Sequence, residues 1–89
     1  MELNSELDRL KKYEEIDCEL IRAKELHPDY PKSMFKQLAI MQEEAGEVTK
    51  AVLDYHYKNG GLSNIKEELI QTAAMCMRML QEINYLINN

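Results

Sequence analysis

Four oxygen-bearing side chains stand in two matched pairs: Glu44 and Glu47, then Glu68 and Gln71. Each pair is spaced i,i+3, which places both members on one side of a helix, one turn apart. Three carboxylates brought to one place repel each other, and burial makes their charged forms costlier still. A hard divalent cation offsets both effects. Magnesium takes oxygen ligands in octahedral geometry and keeps open positions that suit phosphate oxygens. The bland alternative is a pair of solvated acidic faces neutralised by Lys50 and Lys66. Spacing alone favours that alternative, because acidic i,i+3 pairs are common on exposed helices.

The elements that must carry these residues are helices. Leu3, Leu7, Leu10, Tyr13, Ile16, Leu20 and Ala23 recur every three or four residues, predicting a helix from Glu2 to Leu26. His27-Pro28-Asp29-Tyr30-Pro31 then stops it, since proline disfavours helical backbone before and within itself. Ser33 is an N-cap for a second helix. Its expected seam is Met34, Leu38, Met41, Ala45, Val48, Val52 and Tyr55, and Asn59-Gly60-Gly61 ends it. A third helix is expected from Ser63 or Asn64 to about Ile87, with an inner stripe of Ile65, Leu69, Ala73, Cys76, Leu80, Ile83 and Ile87. Ile70, Ala74 and Met77 lie on its other side, so its middle is apolar nearly all round. Such a helix is covered on more than one face, and a second subunit is the expected cover.

Helical rotation places Glu44 about 80–90° from the centre of the second helix's seam and Glu47 about 140–150° from it on the same side. Glu43 points nearly away. Glu68 lies about 100° from the third helix's stripe, with Gln71 further round. Antiparallel packing of the two helices, which a short loop favours, brings these shoulders together.

The chain has 89 residues and a formal net charge of −5. This length is expected to form a single domain, 1–89, with a thin core. The acidic balance speaks against nucleic-acid or anionic-membrane partners. The most apolar stretch, Leu69 to Leu80, is too short to span a bilayer. Charge scattered through the first residues speaks against a signal peptide, so a cytoplasmic location is expected. Cys18 and Cys76 form no Cys-x-x-Cys pair and are expected as buried free thiols.

The run Ala39-Ile40-Met41-Gln42-Glu43-Glu44-Ala45-Gly46-Glu47-Val48-Thr49-Lys50-Ala51-Val52, with Lys66-Glu67-Glu68-Leu69-Ile70-Gln71-Thr72-Ala73-Ala74, resembles the signature of MazG-like nucleoside triphosphate pyrophosphohydrolases. That signature is Glu-x-x-Glu, a spacer, then Glu-x-x-Asp; here a twenty-residue spacer separates Glu44-x-x-Glu47 from Glu68-x-x-Gln71. The likeness covers Met34 to Leu80, roughly half the chain. It implies an all-α, three-helix MazG-like domain that forms a helical bundle with a second subunit, as a homodimer or homotetramer. It implies magnesium, with manganese as a substitute, held by Glu44, Glu47 and Glu68. The implied reaction is hydrolysis of a nucleoside or deoxynucleoside triphosphate to the monophosphate and pyrophosphate.

The departure is Gln71, whose carbonyl can ligate a metal but brings no charge and cannot act as a base. It leaves open an active site of weaker metal affinity, a subgroup using glutamine as a positioning ligand, or a degenerate relative that binds nucleotides or a protein. A later family segment with base or phosphate contacts is expected to be missing. Glu43 is a candidate base or outer acceptor. Arg78, one repeat beyond Gln71, could reach a phosphate or simply pair with Glu82. Lys50 and Lys58 could also reach a phosphate, and Tyr57 could stack on a base, Tyr55 being assigned to the core. His27 is read as part of the turn and His56 as favoured by the helix dipole.

Overall fold

The computed structural model describes residues 2–88, with side chains from Asn4 onward, so Leu3 of the first expected stripe lies outside the side chains described. It is all-helical: α1 spans Glu2–Leu26, α2 Met34–Tyr57 and α3 Leu62–Asn88. Ser33 caps α2 through an extended backbone, its Oγ accepting from the Lys36 N–H at 3.4 Å. At the other end Asn59 takes the left-handed conformation, φ 57°, and the Lys58 and Gly60 amides both close on the Asp54 carbonyl. Gly60 is needed for closeness rather than for φ: a Cβ there would lie 3.0 Å from the Asp54 carbonyl carbon. The third helix begins at Leu62, ahead of the expected Ser63 or Asn64, because the Gly61 carbonyl already accepts from the Asn64 amide.

α3 is the central element and packs against both α2 and α1, while α1 and α2 make no close backbone approach to each other. Glu15 meets Lys66 at 3.3 Å and Lys24 meets Gln81 at 2.7 Å, so α1 runs in the same direction as α3. The short connection 58–61 turns α2 back antiparallel to α3. The resulting slab is 21 Å in its thinnest direction, about two helix diameters.

The buried core consists of Leu20, Ala23, Ala51 and Ala74, together with two polar side chains, Gln37 and Arg78. Alanines at the crossings let the backbones approach, which favours dispersion contact over bulk apolar volume. Gln37 is wholly buried and its Nε2 donates to the Pro31 carbonyl at 2.8 Å, fastening the proline turn onto α2.

This packing corrects two expected faces. On α2 Met34, Met41, Ala45, Val48 and Val52 of the expected seam are half-buried, and buried Gln37 and Ala51 with half-buried Ile40 and Glu44 extend the packed side toward Glu44. Leu38 and Tyr55 are exposed, so Tyr55 is not a core residue. On α3 the inward side is Gln71, Ala74 and Arg78, whereas Leu69, Leu80, Ile83 and Ile87 of the expected inner stripe are exposed. Cys18 on α1 and Cys76 on the outward side of α3 are both free and exposed, not buried. No helix among the described residues is long and apolar enough to cross a membrane.

Candidate functional site

The parallel pairing of α1 with α3 and the antiparallel return of α2 leave a cleft of about 390 Å³ between α1 and α2, floored by α3. Glu19 and Arg22 line it from α1, Glu43 and Glu44 from α2, and Gln71 and Arg78 from α3. Tyr30 closes one end from the proline turn.

Glu44 and Gln71 reach this cleft because the packed faces of α2 and α3 carry them inward. With its amide oriented to satisfy its surroundings, Gln71 Nε2 donates to Glu44 Oε2 and to Glu68 Oε2, both at 3.2 Å. One amide thus lies between two carboxylates from different helices. Burial pushes the Glu44 carboxyl above the ordinary glutamate range, and the carboxylates of Glu68, Glu43, Glu47 and Glu19 push it further. Among the described residues no ion pair relieves this charge: Lys66 is engaged with Glu15, and the other pairs lie within α1. Neither Lys50 nor Lys66 pairs with these acids among the described residues; Glu43 and Glu47 are exposed and Glu44 and Glu68 half-buried.

Glu47 is exposed and adds its field to Glu44 without lining the cleft. Among the described residues no group of three histidine, cysteine, aspartate or glutamate side chains could hold a metal ion. The gathered oxygens are two carboxylates and an amide, a donor set magnesium accepts when phosphate oxygens and water complete its shell. Turning the Gln71 amide exchanges its nitrogen for its carbonyl oxygen beside the two carboxylates.

Lys50 and Tyr57 stand apart, lining a separate groove with Lys58 on α2. Arg78 is not the surface partner of Glu82. It is 7% exposed, donates from Nη2 to the His27 carbonyl at 2.7 Å, and stacks 4.2 Å over the Tyr30 ring. His27 thus acts through its backbone, as a turn residue. Burial pushes the Tyr30 hydroxyl up, partly countered by the Arg78 charge, so it stays a protonated donor; its oxygen has no hydrogen-bond partner.

Sequence reasoning missed Glu19, Arg22 and Tyr30. Glu19 holds Arg22 through two bonds of 2.7 and 2.6 Å. The available signal was its i,i+3 spacing from Arg22 beside the Leu20/Ala23 core positions, but only the direction of α1 against α3 puts that pair opposite Glu44. Comparison of the chain with protein-family models, curated proteins and solved structures finds no match.

Proposed function

We propose that this chain is a magnesium-dependent nucleoside triphosphate pyrophosphohydrolase of the MazG-like kind, working as a homodimer or homotetramer. The observation that carries the reading is the Glu44–Gln71–Glu68 cluster: two half-buried carboxylates 3.2 Å from one amide and in no ion pair among the described residues, the cleft's two guanidinium groups being engaged by Glu19 and by the His27 carbonyl. Structural carboxylates are ordinarily paired, since an uncompensated charge is costly to desolvate. Two half-buried carboxylates without an ion pair support a cation as their partner.

Glu44 and Glu68 would hold the ion with the Gln71 carbonyl, and Glu47 would add charge from the neighbouring turn. A bound magnesium ion supplies neutralisation of the triphosphate and a lowered pKa for water. Glu43, exposed beside Glu44 in the cleft, would accept the proton of an attacking water. The water oxygen bonds to the α-phosphorus, the bond from that phosphorus to the bridging oxygen breaks, and pyrophosphate departs.

Subunit pairing is supported by the outward apolar stripe of α3 and by an apolar groove between α1 and α3, lined by Ile16, Leu62, Ile65 and Leu69. Burying such a face is the ordinary driving force for association. A second reading, a non-catalytic dimer that binds nucleotides or a protein, draws on Gln71, which supplies no third inward charge.

Pyrophosphate release from a panel of ribo- and deoxyribonucleoside triphosphates, with magnesium or manganese and then with chelator, separates the two. The hydrolase reading expects metal-dependent release that Glu44→Gln and Glu68→Gln each cut by about a hundredfold or more, the scale of losing a group that supports a metal. No release from any nucleotide by folded protein favours the second reading.

A further inference from the structure

Beyond the acidic cleft lies a second depression, which shares the Arg78–Tyr30 stack as a common wall. The two sides of that wall differ in charge. The cleft is lined by Glu19, Asp29, Glu43 and Glu44 against two guanidinium groups. The far side, about 820 Å³, is lined by Lys24, Lys32 and Arg78 against one carboxylate, Glu82. A concentration of positive charge in a chain of net charge −5 is a local feature that its composition conceals.

Three details point to an anion as the occupant. Arg78 is 7% exposed and makes no ion pair among the described residues, although a buried guanidinium ordinarily has a counter-ion. It presents five N–H donors, and among the described residues Nη2 alone is used, on the His27 carbonyl. The Tyr30 hydroxyl beside it is buried with no acceptor. Lys32 is exposed and enters no ion pair among the described residues, and Lys24 is held by the neutral Gln81. Donors outnumber acceptors throughout, and a guanidinium fork beside two ammonium groups matches phosphate, whose several oxygens carry more than one charge.

We propose that this groove is a phosphate-binding subsite, in which Lys24, Lys32 and Arg78 receive the phosphate groups of a polyphosphate ligand. The inference deepens the hydrolase reading by giving the triphosphate a second anchor across the wall from the carboxylates, and it rests on that reading for the ligand's identity alone.

The test is calorimetric binding of inorganic pyrophosphate to the full chain in metal-free buffer. Wild type is expected to bind, less tightly as salt is raised. The double variant Lys24→Ala/Lys32→Ala, which touches only exposed side chains, should bind at least about tenfold more weakly, and Arg78→Lys should also lose affinity. Glu44→Gln, across the wall, should bind at least as tightly as wild type. No binding by wild type, or equal binding by the double variant, overturns the proposal. Absence of turnover in a protein that still binds pyrophosphate through these residues rejects the hydrolase reading and supports the subsite; turnover without such binding overturns the subsite alone.

Discussion

The two faces of α3 invert the usual arrangement. Its inward face carries Gln71, Ala74 and Arg78, while its outward face carries Leu69, Leu80 and Ile83, all exposed. A helix stabilised only by its own chain would bury the leucines and solvate the arginine. Here the side turned inward carries an amide and a guanidinium group, and the leucines face outward. The difference teaches that close backbone approach and polar contacts, not apolar bulk, decide which side of α3 this chain buries.

That contrast can be broken most decisively on the apolar side. Leu80→Glu together with Ile83→Glu puts two charges on the outward stripe. A buried leucine or isoleucine contributes about 1.5–3 kcal/mol, so losing both should weaken self-association by about a hundredfold or more. Light scattering across a dilution series reads this directly. A wild-type chain that is monomeric and fully stable at every concentration breaks the comparison.

On the polar side, Gln71→Asp exchanges an amide that donates to Glu44 and Glu68 for a third negative charge. Denaturant unfolding without metal should show a loss of about 1–3 kcal/mol, and magnesium should restore more stability to this variant than to wild type. Equal responses in the two proteins would separate Gln71 from the metal.

The raised Glu44 carboxyl makes a pH prediction of definite sign. A folded-state pKa above the unfolded one, about 4.3 for glutamate, means the folded chain holds its proton more tightly. The stability this contributes is full below the unfolded value and is lost as pH rises through the folded value. Metal-free Glu44→Gln should therefore be more stable than wild type at neutral pH, with the gap closing in acid. Thermal unfolding from pH 4 to pH 8, in steps of about half a unit, traces it.

The smallest expected effect is on the stability of Arg78→Met. Losing the bond to the His27 carbonyl destabilises, while removing a buried charge without a carboxylate partner stabilises, so the net change should be within about 1 kcal/mol. A loss of several kcal/mol would make Arg78 a structural residue first.

Helix existence and the bounds of α1 and α2 were legible in the sequence, because prolines, Ser33 and Asn59-Gly60 act locally. Which face turns inward was not. Around the middle of α3 apolar residues occupy nearly every bearing, so periodicity does not select one. Ala51, Ala74 and Gln37 select it through close backbone approach and one hydrogen bond to Pro31, which hydrophobicity does not register. Glu44, Glu68 and Gln71 could be gathered from spacing alone because one short loop relates their helices. Glu19, Tyr30 and the interior place of Arg78 depend on how α1 and the proline turn fold back, and no spacing within one helix carries that.

The most direct test of the account is a magnesium titration of thermal stability at neutral pH for wild type and Glu44→Gln, side by side. The account predicts that magnesium stabilises wild type, by about 2.7 kcal/mol at a hundred times its dissociation constant. It also predicts that Glu44→Gln starts more stable and gains little. Equal gains in both proteins, or none in either, would contradict the claim that Glu44 of α2 and Glu68 of α3 are kept without an ion pair for a cation.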